Sequence, residues 1–324
     1  MNVTRSTALF FSLLSVNGGV LADPSFSPYT DLTINTHWSA EYQAMEPMDL
    51  KTITTEHHIK ALHLAFLTDG GDCQPAWGGQ SSYSLENKWG QHVTDALAKD
   101  GLELTVSFGG ASGNDLSMRC NERQLEAIFE KTVTTYHAKK LDFDVENGTA
   151  NVPTLLLALT VFQQKNPTIK LSFTLPVLPE GLTAPGKDLI FKALQAKLKF
   201  NINIMTMDYG PYYSGDMGDY TKQAATALFA YLRNMSPLAP DDDLWQSIEV
   251  TPMIGVNDVA TEEFSLKNAA AVSDFVHEKK MGGFSMWSLT RDKPCADKWA
   301  SPTCSGNHLQ KNEYDFVRAF LRSP

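Results

Sequence analysis

Eight short apolar segments alternate along this chain with longer segments of helical period, and this alternation constrains the fold more than any other feature. The apolar segments have the length expected of buried strands. They comprise residues 28–33, 62–67, 102–108, 141–145, 169–175, 200–207, 248–255 and 283–289. Between them, residues 121–139 form the clearest amphipathic helix, with Asn121 suited to cap its start and the Lys139-Lys140 pair suited to its negative end.

Eight strands alternating with helices in a chain of 324 residues predict a (β/α)8 TIM barrel, an α/β fold of this usual size. The alternative is a doubly wound open sheet, which would be expected to carry a glycine-rich phosphate loop after an early strand. Residues 108–113 are rich in glycine but match neither G-x-G-x-x-G nor G-K-[ST]. We therefore favour the barrel, as a single domain over residues 23–324.

The first 22 residues have the pattern of a secretory signal peptide. Arg5 supplies the positive region, residues 8–16 the apolar region, and Val20, Leu21 and Ala22 a small-residue cleavage site. The alternative is a buried N-terminal strand. We expect a secreted protein, extracellular or periplasmic.

The charge of the chain argues against two classes of partner. It has 37 acidic and 27 basic residues, a net charge of -10. Such a surface repels phosphate backbones and anionic lipids, so we expect no nucleic-acid or membrane partner. No apolar run reaches the roughly 18 residues that cross a bilayer.

Four cysteines follow the signal segment, and an even count in an exported chain indicates disulfides. Cys295 and Cys304 lie close together in a polar loop, which leaves Cys73 and Cys120 to join two separate loops. A zinc site is the competing interpretation, but neither C-x-x-C nor H-E-x-x-H occurs. We expect two disulfides, no metal and no cofactor.

The acidic segment 141–146 is the most informative part of the sequence. Side chains alternate along a strand, so Asp142, Asp144 and Glu146 share one face and the apolar residues between them share the other. If the apolar face packs against helices, the acidic face points into the barrel. Crowded, buried carboxyls cannot all ionise, which is how a general acid is made at neutral pH. Glu146 comes last, at the strand end where barrel active sites open, and is the predicted proton donor.

At this point the sequence resembles the glycoside hydrolase family 18 chitinases, of the single-domain bacterial type, over nearly the whole mature chain. Four motifs occur in the family's order. Residues 107–110 resemble S-x-G-G and include Gly109 and Gly110; residues 142–146 resemble the end of D-x-x-D-x-D-x-E; residues 205–209 resemble the M-x-Y-D region; and Trp287 resembles the tryptophan of the last strand, which floors the sugar subsite.

The resemblance implies a retaining, substrate-assisted mechanism, which the family uses in place of two catalytic carboxylates. Glu146 protonates the glycosidic oxygen, and the acetamido oxygen of the substrate attacks the anomeric carbon to form an oxazolinium ion. Asp144 holds the acetamido nitrogen, and Asp142 supports Asp144. The implied substrate is chitin or a chito-oligosaccharide, and we expect the protein to act as a monomer.

Two positions depart from the family pattern. The first aspartate of the strand-four motif is replaced by Lys139, which we expect to lie deepest in the barrel. The family tyrosine that binds the acetamido oxygen is replaced by Met207, which cannot donate a hydrogen bond. Tyr209, two residues on and expected on the same face, is the candidate replacement, and Asp208 matches the family's substrate-binding aspartate.

Trp77, in the loop after the second predicted strand, is a candidate sugar platform, with loop packing beside Cys73 as the alternative. Two other functions remain open. An endo-β-N-acetylglucosaminidase would cleave N-glycans by the same mechanism. A chitin-binding lectin on a silenced barrel would be expected to lack the acid at Glu146.

Overall fold

The computed structural model describes residues 23–322, so the predicted signal peptide at residues 1–22 lies outside the described residues. Within the described part, eight parallel strands form the barrel, as predicted. They are, in chain order, Ser25–Phe26 with Tyr29–Asp31, Ala61–Asp69, Glu103–Gly109, Lys140–Asp144, Lys170–Leu178, Asn201–Met205, Ile248–Thr251 and Gly283–Phe284.

The first strand closes the barrel because its two pieces pair with the two strands on either side of it in the ring. Ser25–Phe26 pairs with the eighth strand and Tyr29–Asp31 pairs with the second strand, both in parallel. The remaining strands pair in chain order, each with the next, from the second to the eighth. The TIM-barrel prediction is therefore confirmed.

Helices lie outside the strands. They are Leu50–Glu56, Gln91–Lys99, Glu122–Tyr136, Val152–Lys165, Ala184–Gln195, Met217–Met235, Asp241–Gln246, Leu266–Lys279 and Asp315–Leu321. Shorter strands pair outside the ring: Pro75–Trp77 with the second strand, Gly181–Leu182 with the fifth, His37–Ser39 with Ala44–Glu46, and Gly255–Val256 with Glu263–Phe264. No helix of the described residues is long and apolar enough to cross a bilayer.

The apolar face of the fourth strand packs outward, as the alternation predicts. Phe143 stacks on Phe108 of the third strand, with ring centroids 5.3 Å apart, and meets Phe129 of the helix Glu122–Tyr136 edge to face at 5.3 Å. Phe129 in turn contacts Phe162 of the next helix at 5.8 Å. This aromatic layer joins strands to helices and leaves the acidic residues of the fourth strand facing inward.

The helix Glu122–Tyr136 begins as predicted but ends earlier. Asn121 accepts a hydrogen bond from the backbone N–H of Gln124, whose side chain accepts one in return from Asn121 N–H. The helix ends at His137, in the left-handed conformation. The prediction that the Lys139-Lys140 pair suits the negative end of this helix is wrong, because the helix ends at Tyr136 and Lys140 already belongs to the fourth strand.

The prediction that Lys139 lies deepest in the barrel is also wrong. Lys139 is exposed, whereas Lys140 faces inward and its Nζ lies 2.5 Å from Glu249 Oε2. The physical reason is the two-residue period of a strand. Lys139 is three residues before Asp142 and so points to the opposite face, whereas Lys140 is two before it and points to the same face.

Both predicted disulfides are confirmed. Cys73 pairs with Cys120 across a Cα–Cα distance of 5.1 Å and joins the loops after the second and third strands. Cys295 pairs with Cys304 at 5.9 Å and closes the loop after the eighth strand.

Candidate active site

Asp142 lies at the centre of a buried hydrogen-bond network in the barrel. Its carboxyl is inaccessible to solvent, and each of its two oxygens accepts two hydroxyl hydrogen bonds. Oδ2 accepts from Tyr29 at 2.9 Å and Ser107 at 2.6 Å, and Oδ1 accepts from Ser172 at 2.6 Å and Thr174 at 2.8 Å. The donors come from the first, third and fifth strands, so Asp142 is held from both sides of its own strand.

Asn203 of the sixth strand orients two of these hydroxyls. Its Nδ2 donates to Tyr29 Oη at 3.1 Å and to Thr174 Oγ1 at 3.0 Å, which leaves both hydroxyl protons free for Asp142. Thr251 of the seventh strand donates to Asn203 Oδ1 at 2.8 Å and fixes the amide orientation. The network therefore spans most of the ring.

Asp144 lies above Asp142 on the same face and is 5% exposed. Its Oδ1 is buried without a hydrogen-bond partner among the described residues. Burial, the neighbouring Glu146 and then Asp142 raise the pKa of Asp144 well above its usual range. Burial and the two neighbouring carboxyls therefore disfavour the ionised form of Asp144 in the absence of a ligand.

Glu146 follows the end of the fourth strand and is half-buried. Burial, and secondly the charge of Asp208, raise its pKa to about 7. A carboxyl with this pKa can give up and regain a proton at neutral pH, as a general acid and base must. The predicted position of Glu146 at the carboxyl end of the strand is confirmed.

The carboxyls open into a cavity of about 200 Å³ at the carboxyl ends of the strands. Its wall combines acidic groups with apolar and aromatic side chains. The lining residues are Tyr29, Phe66, Ala111, Asp144, Glu146, Thr174, Met205, Met207, Asp208, Thr251, Met253, Asp258 and Trp287. A mixed wall of this kind suits a ligand with both polar groups and an apolar face, as a pyranose has.

Trp287 lies at the cavity, as predicted. Its ring stacks on Phe66, with centroids 5.5 Å apart and an interplanar angle of 26°, and lies 6.0 Å from the ring of Tyr29. These contacts hold the indole at the cavity wall, where its half-buried face can meet a ligand.

Asp208 and Met207 also line the cavity, but Tyr209 does not. The sixth strand ends at Met205, and Asp208 has a left-handed backbone with φ 50°. Strand alternation therefore stops before Tyr209, whose ring is 6% exposed and lies 5.7 Å from that of Tyr213. The prediction that Tyr209 shares the face of Met207 and replaces the family tyrosine is wrong.

Gly109 and Gly110 are buried and do not line the cavity, where Ala111 takes that place. A Cβ on Gly109 would lie 2.2 Å from the carbonyl oxygen of Asp144, and one on Gly110 would lie 2.9 Å from the ring of Phe66. Both have positive φ, 88° and 91°. Their predicted substrate contact is therefore replaced by a packing role, because only glycine lets the third strand come this close to Asp144.

Trp77 is fully buried and is not a sugar platform, so the packing alternative is the correct one. Its Nε1 donates to Tyr136 Oη at 2.9 Å, and Tyr136 Oη donates to the carbonyl of Trp89 at 3.0 Å. The indole meets the Tyr136 ring at an angle of 64°. Trp77 thus joins the loop after the second strand to the helix Glu122–Tyr136.

Sequence reasoning missed Tyr29, Thr174 and Asn203. None belongs to a motif, and each hydrogen-bonds to residues at least 29 positions away in the chain. The only available signal was their strand register, which places them on inward faces. Among possible metal ligands in the described part of the chain, one group brings three side chains together, at Cys295, Asp297 and Cys304, and its two sulfurs form a disulfide.

Comparison with curated proteins finds two chitinases, and no protein-family model matches the chain. It is 30% identical over 290 residues to the probable bifunctional chitinase/lysozyme of Escherichia coli, across 83% of this chain and 31% of that protein. It is 29% identical over 290 residues to endochitinase 11 of Metarhizium anisopliae, across 84% of this chain and 53% of that one. The match therefore spans about a third of the first relative and half of the second.

Comparison with solved structures matches nearly complete catalytic domains. The crystal structure of the catalytic domain of the hyperthermophilic chitinase from Pyrococcus furiosus is 30% identical, with a TM-score of 0.80, covering 94% of this chain and 97% of that one. Catalytic-site mutants of active domain 2 of the chitinase from this organism, complexed with chito-oligosaccharides, match with a TM-score of 0.81 and 29% identity.

Proposed function

Because this chain belongs to glycoside hydrolase family 18, the family of the chitinases that it matches, we propose that it hydrolyses the β-1,4 bonds between N-acetylglucosamine units of chitin. The observation that carries the proposal is the carboxyl series of the fourth strand. Asp142 is buried in a hydroxyl network, Asp144 lies above it, and Glu146 reaches the cavity with a pKa of about 7.

Glu146 is the proposed proton donor. A pKa near 7 leaves about half of the protein with Glu146 protonated at neutral pH, and the carboxylate formed after proton transfer can then act as the base. In the first step the proton moves to the glycosidic oxygen, the bond from that oxygen to the anomeric carbon breaks, and the acetamido oxygen of the substrate bonds to that carbon.

Asp144 is proposed to hold the acetamido N–H while positive charge develops on the oxazolinium ring. Asp144 lines the cavity and its Oδ1 has no hydrogen-bond partner among the described residues, so this oxygen is the proposed acceptor. Asp142, fixed by four hydroxyls, is proposed to keep Asp144 in place from below. Water, deprotonated by Glu146, then attacks the anomeric carbon, the ring opens, and the configuration is retained.

Met207 leaves the acetamido oxygen without the donor that the family tyrosine supplies. Three methionines, Met205, Met207 and Met253, are among the residues that line the cavity. We propose that the acetamido group is held there by fit and by Asp144, without a hydroxyl donor from position 207.

Export of the chain is proposed from residues 1–22 and from the two disulfides, which persist in oxidising compartments. Residues 147–149, Asn-Gly-Thr, form an N-glycosylation sequon. We propose that Asn147 stays unmodified, because its Nδ2 donates to the carbonyls of Gly110 at 2.8 Å and Gly113 at 3.0 Å. A glycan on this nitrogen would break both contacts beside Glu146.

The proposal is tested by a substrate panel with analysis of the product anomer. The purified protein is incubated with chitohexaose, with cellohexaose and with an N-glycoprotein. Cleavage of chitohexaose to products that first appear as the β-anomer is expected, with no cleavage of cellohexaose, which has no acetamido group. Cleavage of the N-glycoprotein alone would favour an endo-β-N-acetylglucosaminidase, and binding of chitohexaose without cleavage would favour a lectin.

A further inference from the structure

The loops after the sixth and seventh strands are joined by two buried or half-buried carboxyls that reach in opposite directions. Asp208, after the sixth strand, accepts a hydrogen bond at Oδ1 from the backbone N–H of Val259, 3.0 Å away. Glu262, after the seventh strand, accepts one at Oε1 from the backbone N–H of Gly210, 2.9 Å away. Each loop therefore supplies a carboxyl to the backbone of the other.

Glu262 is not part of the cavity wall, yet it is only 1% exposed. Burial raises the pKa of its carboxyl, and the backbone N–H groups of Gly210, Tyr209 and Asp208 lower it. Its own backbone closes the loop, since Glu262 N–H donates to the Val259 carbonyl at 2.9 Å and Asn257 N–H donates to the Glu262 carbonyl at 3.0 Å. A buried carboxyl destabilises the fold unless it forms hydrogen bonds. The carboxyl of Glu262 accepts its hydrogen bond from the backbone of the turn that contains Gly210.

The backbone of that turn adopts left-handed conformations. Asp208 has φ 50° and Gly210, two residues further on, has φ 114°, in a segment that has already left the sixth strand. A left-handed backbone at a residue other than glycine is strained and persists where neighbouring groups fix it. Among those neighbours, Glu262 accepts at Oε1 the hydrogen bond from the backbone N–H of Gly210, in the turn itself.

We propose that Glu262 is a positioning residue, which holds the turn at residues 208–210 so that the carboxyl of Asp208 faces Glu146 across the cavity. The kinetic part of this inference rests on the proposed function, whereas its geometric part does not. The charged groups that face Asp208 are Glu146, Asp258, Glu262 and the buried Arg291. Those that face Glu146 are Asp144 and Asp208.

The first test follows the titration of Glu146 without substrate, by carbon NMR of protein labelled at the side-chain carboxyls. Asp208→Asn removes the facing charge, so the pKa of Glu146 is expected to move down from about 7. Glu262→Gln keeps the size of the side chain but weakens its hydrogen bonds to the turn, because charged acceptors bind about twice as strongly as neutral ones. Glu262→Gln is therefore expected to lower the pKa of Glu146 as well, by a fraction of the shift that Asp208→Asn causes.

Glu263→Gln is the matched control. Glu263 is the next residue in the chain, is exposed, and its carboxyl contacts Asn307 rather than the turn. This variant is expected to leave the titration of Glu146 unchanged. An unchanged titration in Glu262→Gln as well would overturn the proposal.

The second test is a double-mutant cycle on the hydrolysis of chitohexaose. Glu262→Gln alone is expected to lower kcat about tenfold, with a smaller change in KM, since misplaced catalytic groups cost ten- to hundredfold in rate. In the Asp208→Asn background the same substitution is expected to cost less than twofold, because the group that it positions is already lost. Equal losses in both backgrounds would mean that Glu262 acts only through stability and would contradict the proposal.

Thermal unfolding accompanies both tests. If Glu262→Gln does not fold, Glu262→Asp takes its place, because it keeps the carboxylate and shortens its reach by one methylene. It is expected to give a smaller shift in the same direction, and no shift would contradict the proposal. Absence of hydrolysis by the wild-type protein would contradict the proposed function instead, and the titration would then decide this inference alone.

Discussion

Tyr29 and Asp142 hydrogen-bond across the barrel, with Tyr29 Oη 2.9 Å from Asp142 Oδ2. The contact joins the strand that closes the ring to the strand that carries the acidic residues. Tyr29 also lines the cavity, and its hydroxyl accepts a hydrogen bond from the side-chain amide of Asn203. The residue that closes the ring of strands is therefore also part of the site.

Tyr29→Phe is expected to lower stability by about 1–3 kcal/mol, because it leaves one oxygen of the buried Asp142 short of a donor. It is also expected to lower kcat, since Asp142 is then less firmly held below Asp144. Urea unfolding and steady-state rates on chitohexaose measure the two effects. Tyr213→Phe is the control, because the Tyr213 hydroxyl donates to Glu180 at the surface, at 2.8 Å. Equal stability of the two variants would contradict the network.

The pH dependence of hydrolysis follows from the pKa of Glu146. The proton donor must be protonated, so kcat/KM is expected to fall as the pH rises through about 7. Asp208→Asn is expected to move this descending limb to lower pH, because the charge of Asp208 raises the pKa of Glu146. A limb that stays in place in Asp208→Asn would show that Asp208 does not act on the donor.

The same pKa predicts a cost in stability above neutral pH. The pKa of Glu146 in the folded protein is about 7, above its ordinary value of 4.5, so the folded state binds this proton more tightly than the unfolded state. The contribution of Glu146 to the free energy of unfolding is fully present below its ordinary pKa of 4.5. This contribution is lost as the pH rises through about 7. Glu146→Gln is therefore expected to be more stable than the wild type at pH 8 by up to about 3.5 kcal/mol, at about 1.4 kcal/mol for each pKa unit.

Chemical denaturation at pH 8 and at pH 4 measures this difference. At pH 4 the two proteins are expected to have nearly equal stability, because Glu146 is protonated in both states. A wild type that is more stable than Glu146→Gln at pH 8 would contradict the raised pKa.

The two tryptophans, Trp77 and Trp287, are expected to respond oppositely to one substitution. Trp77→Phe removes the hydrogen bond to Tyr136 and leaves a void in a fully buried position, so it should lower stability by about 1–3 kcal/mol and leave KM for chitohexaose within twofold. Trp287→Phe should change stability less and raise KM several-fold, because it reduces the cavity wall. Unfolding curves and KM values for both variants decide the assignment, and a raised KM in Trp77→Phe would contradict it.

Local periodicity was enough to predict the ring of strands and the inward face of Asp142, Asp144 and Glu146. The number and spacing of the cysteines were enough to predict both disulfides. Each of these follows from spacing within one segment or from the small number of possible cysteine pairs. Family likeness added Asp208 and Trp287, which the structure brings to the same cavity.

The predictions that failed depended on where a strand ends or on contacts between distant segments. Lys139 was placed by motif spacing although three residues along a strand reverse the face. Tyr209 was placed by alternation beyond Met205, where the strand has ended and Asp208 has turned left-handed. Trp77 contacts Tyr136, which lies 59 residues further along the chain. A local sequence pattern does not predict a contact between such distant residues.

The most direct test of the account is the hydrolysis of chitohexaose by the wild-type protein and by Glu146→Gln, followed by mass spectrometry. Glu130→Gln, an exposed position on the outer helix Glu122–Tyr136, is the control. We expect cleavage by the wild type and by the control, and a rate at least a hundredfold lower in Glu146→Gln, since a general acid contributes about 10²–10⁴ in rate. Cleavage by Glu146→Gln at the wild-type rate would contradict it.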